Sequence, residues 1–161
     1  MTEQADPQTI WTTIAKLHVT MLATEEEGRI VSRPMASLAR PDENKIYFIT
    51  HLASGKVGDI GGSAPVNLAY SDPSSNTYVS ISGTARTTQD RAKLRELWSA
   101  YSEAWLPQGP DDPDTALIVV EPEEAKLWDG TSSKLILSAK MLAAVIRQSP
   151  PKGDRIEEVS M

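Results

Sequence analysis

The sequence predicts a mainly β, α+β domain: an antiparallel six-to-seven-stranded barrel, closed or split, with short helices at its rim. Three observations carry this. Apolar and β-branched runs recur along the chain, each bounded by turn residues. Several neighbouring runs are joined by connections too short for a parallel crossover, so antiparallel pairing dominates. The chain has 161 residues, 40% of them hydrophobic, which suits one packed domain.

Asp6-Pro7 reads as an N-cap followed by proline in the first helical turn, and Ile10, Ile14 and Leu17 continue at helical spacing. "HVTMLAT" is the first strand, "EEEG" a turn and "RIVSRPMASLA" the second strand, where Pro34 marks an edge or a bulge. After the turn "RPDEN", "KIYFIT" is the third strand. A short helix opens at Ser54 and ends near Gly61-Gly62. "APVNLAYSD" and "TYVSISGTARTT" are two more strands around the turn "PSSN". Thr87 and Asp90 have capping-box spacing. They precede a long helix with Leu94, Trp98, Tyr101 and Trp105 on one face, Trp98 in the core, and Pro107 as its stop. "PQGPDDPD" is a stiff loop, and "TALIVVEP" and "EAKLWDG" close the strand series. The barrel domain is expected over residues 1–134. Residues 135–161 are expected to form a tail, with a helix in "SAKMLAAVIRQ" and extended chain in "SPPKGDRIEEVSM".

Composition narrows the function. A net charge of −6 disfavours nucleic acid and anionic lipid as partners. Without cysteine there is no disulfide, thiolate nucleophile or cysteine metal site. The acidic start "MTEQADPQTI" is no secretory signal, and no apolar run approaches the ~20 residues of a membrane span. A cytoplasmic protein without membrane or nucleic-acid partner is expected.

The stretch "THLASGK" joins a strand end to a helix start. It is neither a Walker loop, since Val57 follows Lys56, nor a dinucleotide fingerprint, since Gly55, Gly58 and Gly61 have the wrong spacing. First-turn amides attract anions, with a hydroxyl from Ser54 and a charge from Lys56. An ordinary serine cap with a solvated lysine accounts for the same residues. Arg33 lies mid-strand among apolar neighbours, where a guanidinium usually has a carboxylate or phosphate partner; a surface charge is the plainer reading. Trp105 and Trp128 each end an element beside a loop and suit stacking on a planar ligand, a subunit contact or rim packing. Asp112, Asp114 and Glu123 have EF-hand-like offsets, but Leu117 stands where glycine is needed. His18 and His51 are far apart with no companion at ligand spacing, so no metal site is expected. His51 faces a ligand or is simply a polar loop residue.

In their order and spacing, "SRPMASL", "YFITHLASGKVGDI", "NTYVSISGTART", "EAWLPQGPDDPD" and "EAKLWDG" resemble the pyridoxamine 5′-phosphate oxidase-like FMN-binding split barrels, nearest their general stress protein branch. The resemblance runs from about Ile10 to Lys134. It implies FMN at the interface of a homodimer. Arg33, Ser54 and Lys56 would then contact the phosphate, with Pro34 and Met35 along the flavin edge. Ile49 and Thr50 would contact the flavin through backbone and hydroxyl, and Trp128 would approach from the partner subunit. Trp105 is added from the loop of the stress-protein branch.

Two departures matter. Gly55 replaces an arginine that the oxidases carry before the lysine. "DGTSSK" replaces the oxidases' Arg-x-His after the tryptophan, so oxidation of pyridoxamine phosphate is not expected. Two functions remain: a flavin-binding stress protein with weak oxidoreductase activity, for which no catalytic acid or base stands out, or a non-catalytic binder that signals through a protein partner. FAD, deazaflavin and haem are the other cofactors for the cleft.

Overall fold

The structure is a computed structural model that describes residues 6–53, 55–130, 145 and 155–161. Helix α1 (Pro7–Leu17) starts as its sequence dictates: Asp6 accepts a hydrogen bond from the Gln8 amide, and proline occupies the first turn. The strands are β1 (Val19–Glu26), β2 (Arg29–Ala36), β3 (Leu38–Arg40), β4 (Lys45–His51), β5 (Ala64–Asp72), β6 (Thr77–Thr88), β7 (Thr115–Asp129) and β8 (Arg155–Ser160). Helices α2 (Gly55–Ile60), α3 (Arg91–Leu97) and α4 (Ala100–Trp105) lie between them, with one turn of 3₁₀ helix at Pro41–Glu43. Glu27 (φ 50) and Gly28 (φ 78) make the tight β1–β2 turn, whose left-handed backbone matches the strand twist.

All pairings are antiparallel, in the order β2-β1-β5-β6-β7-β4-β3. Only Ser37 separates β2 from β3. That nearly continuous strand pairs β1 through its first part and β4 through its last, so the bend at Ser37 closes the ring. The Ser37 amide donates to the His18 carbonyl (2.8 Å), which holds the bend against the start of β1.

The alternation of each strand places one set of side chains inside the barrel. Thr20, Leu22 and Thr24 of β1, Ile46, Phe48 and Thr50 of β4, and Val66, Leu68 and Tyr70 of β5 are all buried. Helix α1 contributes Ile10, Trp11 and Ile14 to this core, and α2 contributes Ile60. The two helices sit at opposite ends. α1 leads into the start of β1, whereas α2 leads into β5 and packs on β1, β5 and β6. A second cluster covers the outer face of β4 and β7: Leu94 and Leu97 of α3 pack on Tyr47, Leu117 and Val119. Lys93 clamps this layer, bonding Glu43 (2.9 Å) and Glu96 (2.8 Å) above the Tyr47 ring, while the Tyr47 hydroxyl also donates to Glu43.

Three sequence expectations change. The long helix is two short ones. Trp98 is extended (ψ 137), and Ser99 caps α4 by accepting from the Ser102 amide. A serine offering its hydroxyl to a nearby amide competes with helix continuation. Asp90, not Thr87, caps α3, because β6 runs on to Thr88 and the Thr87 hydroxyl bonds the Gly61 carbonyl. The expected apolar stripe therefore fails: Trp98 is only half-buried, and Tyr101 and Trp105 are exposed.

The two last expected strands are one, β7, running through Pro122. Proline is tolerated there for two reasons. Pro122 falls between the stretch paired with β4 (Thr115 to Val120) and the stretch paired with β8 (Glu124 to Asp129). On its other edge the ladder bulges at Ser82/Gly83. The third change is β8, which draws the end of the chain, expected as extended tail, into the sheet. The helix expected in "SAKMLAAVIRQ" lies, Val145 apart, outside the described residues.

The barrel interior holds a polar fault. The Tyr70 hydroxyl and Thr20 Oγ1 are buried without a hydrogen-bond partner among the described residues. Burial pushes the Tyr70 phenol up to about 12, and the Ser37 and Thr20 hydroxyls, close by but outside hydrogen-bond geometry, pull the other way. An orphaned buried donor costs free energy, so Tyr70→Phe is expected to stabilise the fold by about 1 kcal/mol. That corresponds to a Tm rise of about 2–4 °C for a domain this size. A phenol whose folded pKa exceeds its unfolded value of 10.0 contributes stability intact below pH 10 and lost as pH rises through about 12. Tyr70→Phe should accordingly flatten the alkaline loss of stability in melts from pH 9 to 12. A variant that melts below wild type would show that the hydroxyl is engaged.

Candidate functional site

Arg33 opposes Leu22 across the β1–β2 ladder, so it projects onto the inner side of the sheet. Its Nη1 donates to Thr24 Oγ1 at 2.5 Å. This is the barrel end packed by α2, because Thr24 lies near the end of β1 and α2 contacts that strand. Thr50, buried near the end of β4, has the same inward alternation and lies five positions before the start of α2. Arg33, Thr50 and the first turn of α2, which contains Lys56, are thus gathered at one end of the barrel. Ser54 lies outside the described residues; α2 begins at Gly55. A guanidinium, a hydroxyl and a helix start in this arrangement suit an anion.

The neighbours of these residues point elsewhere. Met35 turns inward and packs against the core, while Pro34 is exposed on the outer face. Ile49 lies on the outer face of β4, against the cluster beneath α3.

Trp128 is far from this group. It pairs with Tyr78, and Ala116, twelve positions back along β7, pairs with Thr50. At about 3.3 Å per residue, some 40 Å of strand separates them. Trp128 borders a groove of about 400 Å³ lined by Asn76, Tyr78, Trp128, Asp129 and Gly130. Trp105 is 72% exposed on α4, its ring centroid 6.3 Å from that of Tyr101. The structure therefore brings Arg33, Thr50 and the α2 start to one end of the barrel within one chain and leaves Trp128 toward the other end.

Sequence reasoning missed Thr24, which orients Arg33, and Tyr78, which flanks Trp128. The signal was present. The alternation Thr20, Leu22, Thr24 marks an inward face with a hydroxyl at its end, and Tyr78 begins the alternation of β6. The pairing partners had to be known before either mattered.

Trp128 shares its outward face with an open sheet surface. The row Pro34, Met21, Ala69, Ser80 and Lys126 crosses β2, β1, β5, β6 and β7 in register. Val19, Met21 and Tyr78 are exposed on this face. Met21, Ala69 and Ser80 occupy the middle of the row, and Lys126 at its β7 end pairs with Glu158 (2.9 Å).

This architecture has close counterparts. Over 132 residues the chain is 28% identical to general stress protein 26 of Bacillus subtilis, covering 80% of this chain and 92% of that protein. The structure of a general stress protein 26 from Jannaschia sp. CCS1 superposes with a TM-score of 0.75 at 23% identity, over 96% of this chain and 97% of the other. That of the general stress FMN/FAD binding protein of Xanthomonas citri superposes with a TM-score of 0.69 at 29% identity, over 78% and 89%. The model of the family described as pyridoxamine 5′-phosphate oxidase like matches residues 5–152. With its ring of antiparallel strands closed at Ser37 and an inward arginine beside α2, the chain belongs to the pyridoxamine 5′-phosphate oxidase-like family.

Proposed function

We propose that the protein binds a flavin, FMN before FAD, at the barrel end formed by Arg33, Thr50 and the start of α2. The observation that carries this reading is the placement of Arg33: an arginine on the inner side of β2, beside Thr24, at the end where α2 begins. The FMN/FAD-binding description of the Xanthomonas citri protein supports the same class of ligand. Arg33 supplies a fixed charge for the phosphate, the amides and Lys56 of the α2 start a second positive region, and Ser54 and Thr50 hydroxyls. The bound flavin would supply electron transfer; the chain's part is to hold and orient it. With Gly55 where the oxidases carry arginine, one cation fewer faces the phosphate, and a weaker affinity follows.

The site is completed by a second copy of the chain. Support comes from the about 40 Å of β7 between Ala116, which pairs with Thr50, and Trp128 and from the open face that carries Pro34, Met21, Tyr78 and Trp128. In a homodimer the partner subunit's Trp128 reaches the ligand that Arg33 holds, with Trp105 stacking from its exposed position.

FMN titration followed by tryptophan fluorescence, with light scattering on the same samples, tests both parts. Saturable quenching below about 50 µM, with one FMN per chain in a dimer, is expected, as electrostatic and stacking contacts of this number suggest. Trp128→Phe should lose most of the quenching at little cost in dimer mass. A monomer, or no binding at that concentration, would overturn the reading. Turnover with NADH or NADPH above the rate of free flavin separates an oxidoreductase from a non-catalytic binder.

A further inference from the structure

His51 ends β4 with its side chain on the outer face, opposite in alternation to the inward Thr50. The loop between α4 and β7 returns beside it. Thr115 pairs with His51, and the Leu52 amide donates to the Asp114 carbonyl at 2.8 Å. As a result the imidazole of His51 and the carboxylates of Asp112 and Asp114 converge, with potential ligand atoms all within 4.8 Å of one another. Among the described residues this is the one place where three such groups meet.

We propose that His51, Asp112 and Asp114 bind a divalent first-row transition cation, zinc foremost. This does not depend on the flavin reading. One neutral imidazole and two carboxylates compensate a dication. The imidazole selects zinc and its neighbours over magnesium and calcium, which prefer oxygen alone. Zinc sets its N and O ligands about 2.0–2.2 Å from the ion, so ligand atoms within 4.8 Å of one another need only side-chain rotation to close. Asp114 is exposed and His51 and Asp112 half-buried, which gives the ion a path in and leaves coordination positions for water or a further ligand.

The surroundings leave these carboxylates uncompensated. Among the described residues, the two arginines beside the loop are engaged elsewhere. Arg95 takes Asp111 (2.9 and 2.5 Å), and Arg91 donates to the carbonyls of Pro110, Thr115 and Pro113 (3.0, 3.0 and 3.3 Å). Neither Asp112 nor Asp114 has an ion-pair partner among the described residues. Arg91, with Gln89 on the Pro113 carbonyl, fixes the loop position without consuming its charge. The loop is therefore held in place, Asp112 accepting from the Asp114 amide at 2.7 Å, with two carboxylates outside any ion pair facing a histidine from another element. Neither residue set shows this in sequence, because 61 or more positions separate them.

The test is isothermal titration of the full chain, first dialysed against chelator, with zinc, manganese, magnesium and calcium chlorides. One zinc per chain at a Kd of about 10 µM or tighter is expected, with manganese weaker and the alkaline earths unbound at about 1 mM. His51→Ala and Asp114→Asn should each weaken zinc at least about 10-fold. His18→Asn, at the other histidine, should leave it unchanged. Asp114→Asn disturbs no side-chain hydrogen bond of the loop seen here, so it keeps the test decisive if a change at Asp112 unfolds the loop. No saturable zinc uptake below about 100 µM, equal uptake by magnesium, or zinc affinity unchanged in His51→Ala would each overturn the proposal.

Discussion

Arg33→Ala is expected to weaken FMN binding by about 10- to 100-fold. A hydrogen-bonded charge is worth about 1.5–3 kcal/mol, and each 1.4 kcal/mol is tenfold in affinity. Arg33 is already held by Thr24 at 2.5 Å, so its guanidinium costs little to order when a phosphate arrives. Arg33→Lys should recover only part of the loss, because a point charge cannot present the planar fork. Thr24→Val keeps the charge but removes its orienting partner, and a smaller loss is expected. Titration of all three variants with FMN, and with riboflavin as the ligand lacking phosphate, checks the assignment. Riboflavin affinity should hardly respond to Arg33→Ala. Equal losses for both ligands would place Arg33 against the ring or in the fold rather than at the phosphate.

Gly83→Ala should lower stability by about 3 kcal/mol, from overpacking a well-packed interior. At about 2–4 °C per kcal/mol the melting temperature falls by roughly 6–12 °C. A Cβ at Gly83 would stand 2.3 Å from the Glu121 carbonyl oxygen and 3.0 Å from Pro122 Cα. Both are backbone atoms of β7 and cannot rotate away. The position lies where β6 and β7 shift register to pass Pro122, so relaxing the clash would unpick the ladder that joins the barrel halves. Gly62 is the control. A Cβ there meets nothing within 4 Å, so Gly62→Ala should leave the melting temperature within about 2 °C of wild type. Thermal melts by circular dichroism decide the matter. A Gly83→Ala variant melting with wild type would mean that the strand pair slides freely.

These two residues differ in how far their roles could be read in advance. Arg33 drew attention because a guanidinium amid strand hydrophobics usually has a partner, although a surface charge was the plainer reading of the sequence. Gly83 was not, since its constraint comes from Pro122, thirty-nine positions on, across a ladder whose bulge no local pattern announces.

The same division runs through the molecule. Local chemistry alone determined α1, with its Asp6 cap and Pro7, the tight turn at Glu27-Gly28, most of the strands and the antiparallel pairing of those joined by short turns, since each depends on residues within a few positions. It also marked the stretch from Thr50 to Lys56 as a place for an anion. Tertiary structure alone decided that the strand break at Ser37 closes the barrel, that β7 passes through its proline, and that the chain end returns as β8. It decided too that the helix after β6 breaks at Ser99, where a hydroxyl cap outweighs the apolar spacing of Trp98, Tyr101 and Trp105. The physical reason is common to all of these. Side-chain periodicity and capping are settled within one turn or one pleat, whereas ring closure, register and the meeting of His51 with Asp112 and Asp114 depend on which distant segments become neighbours.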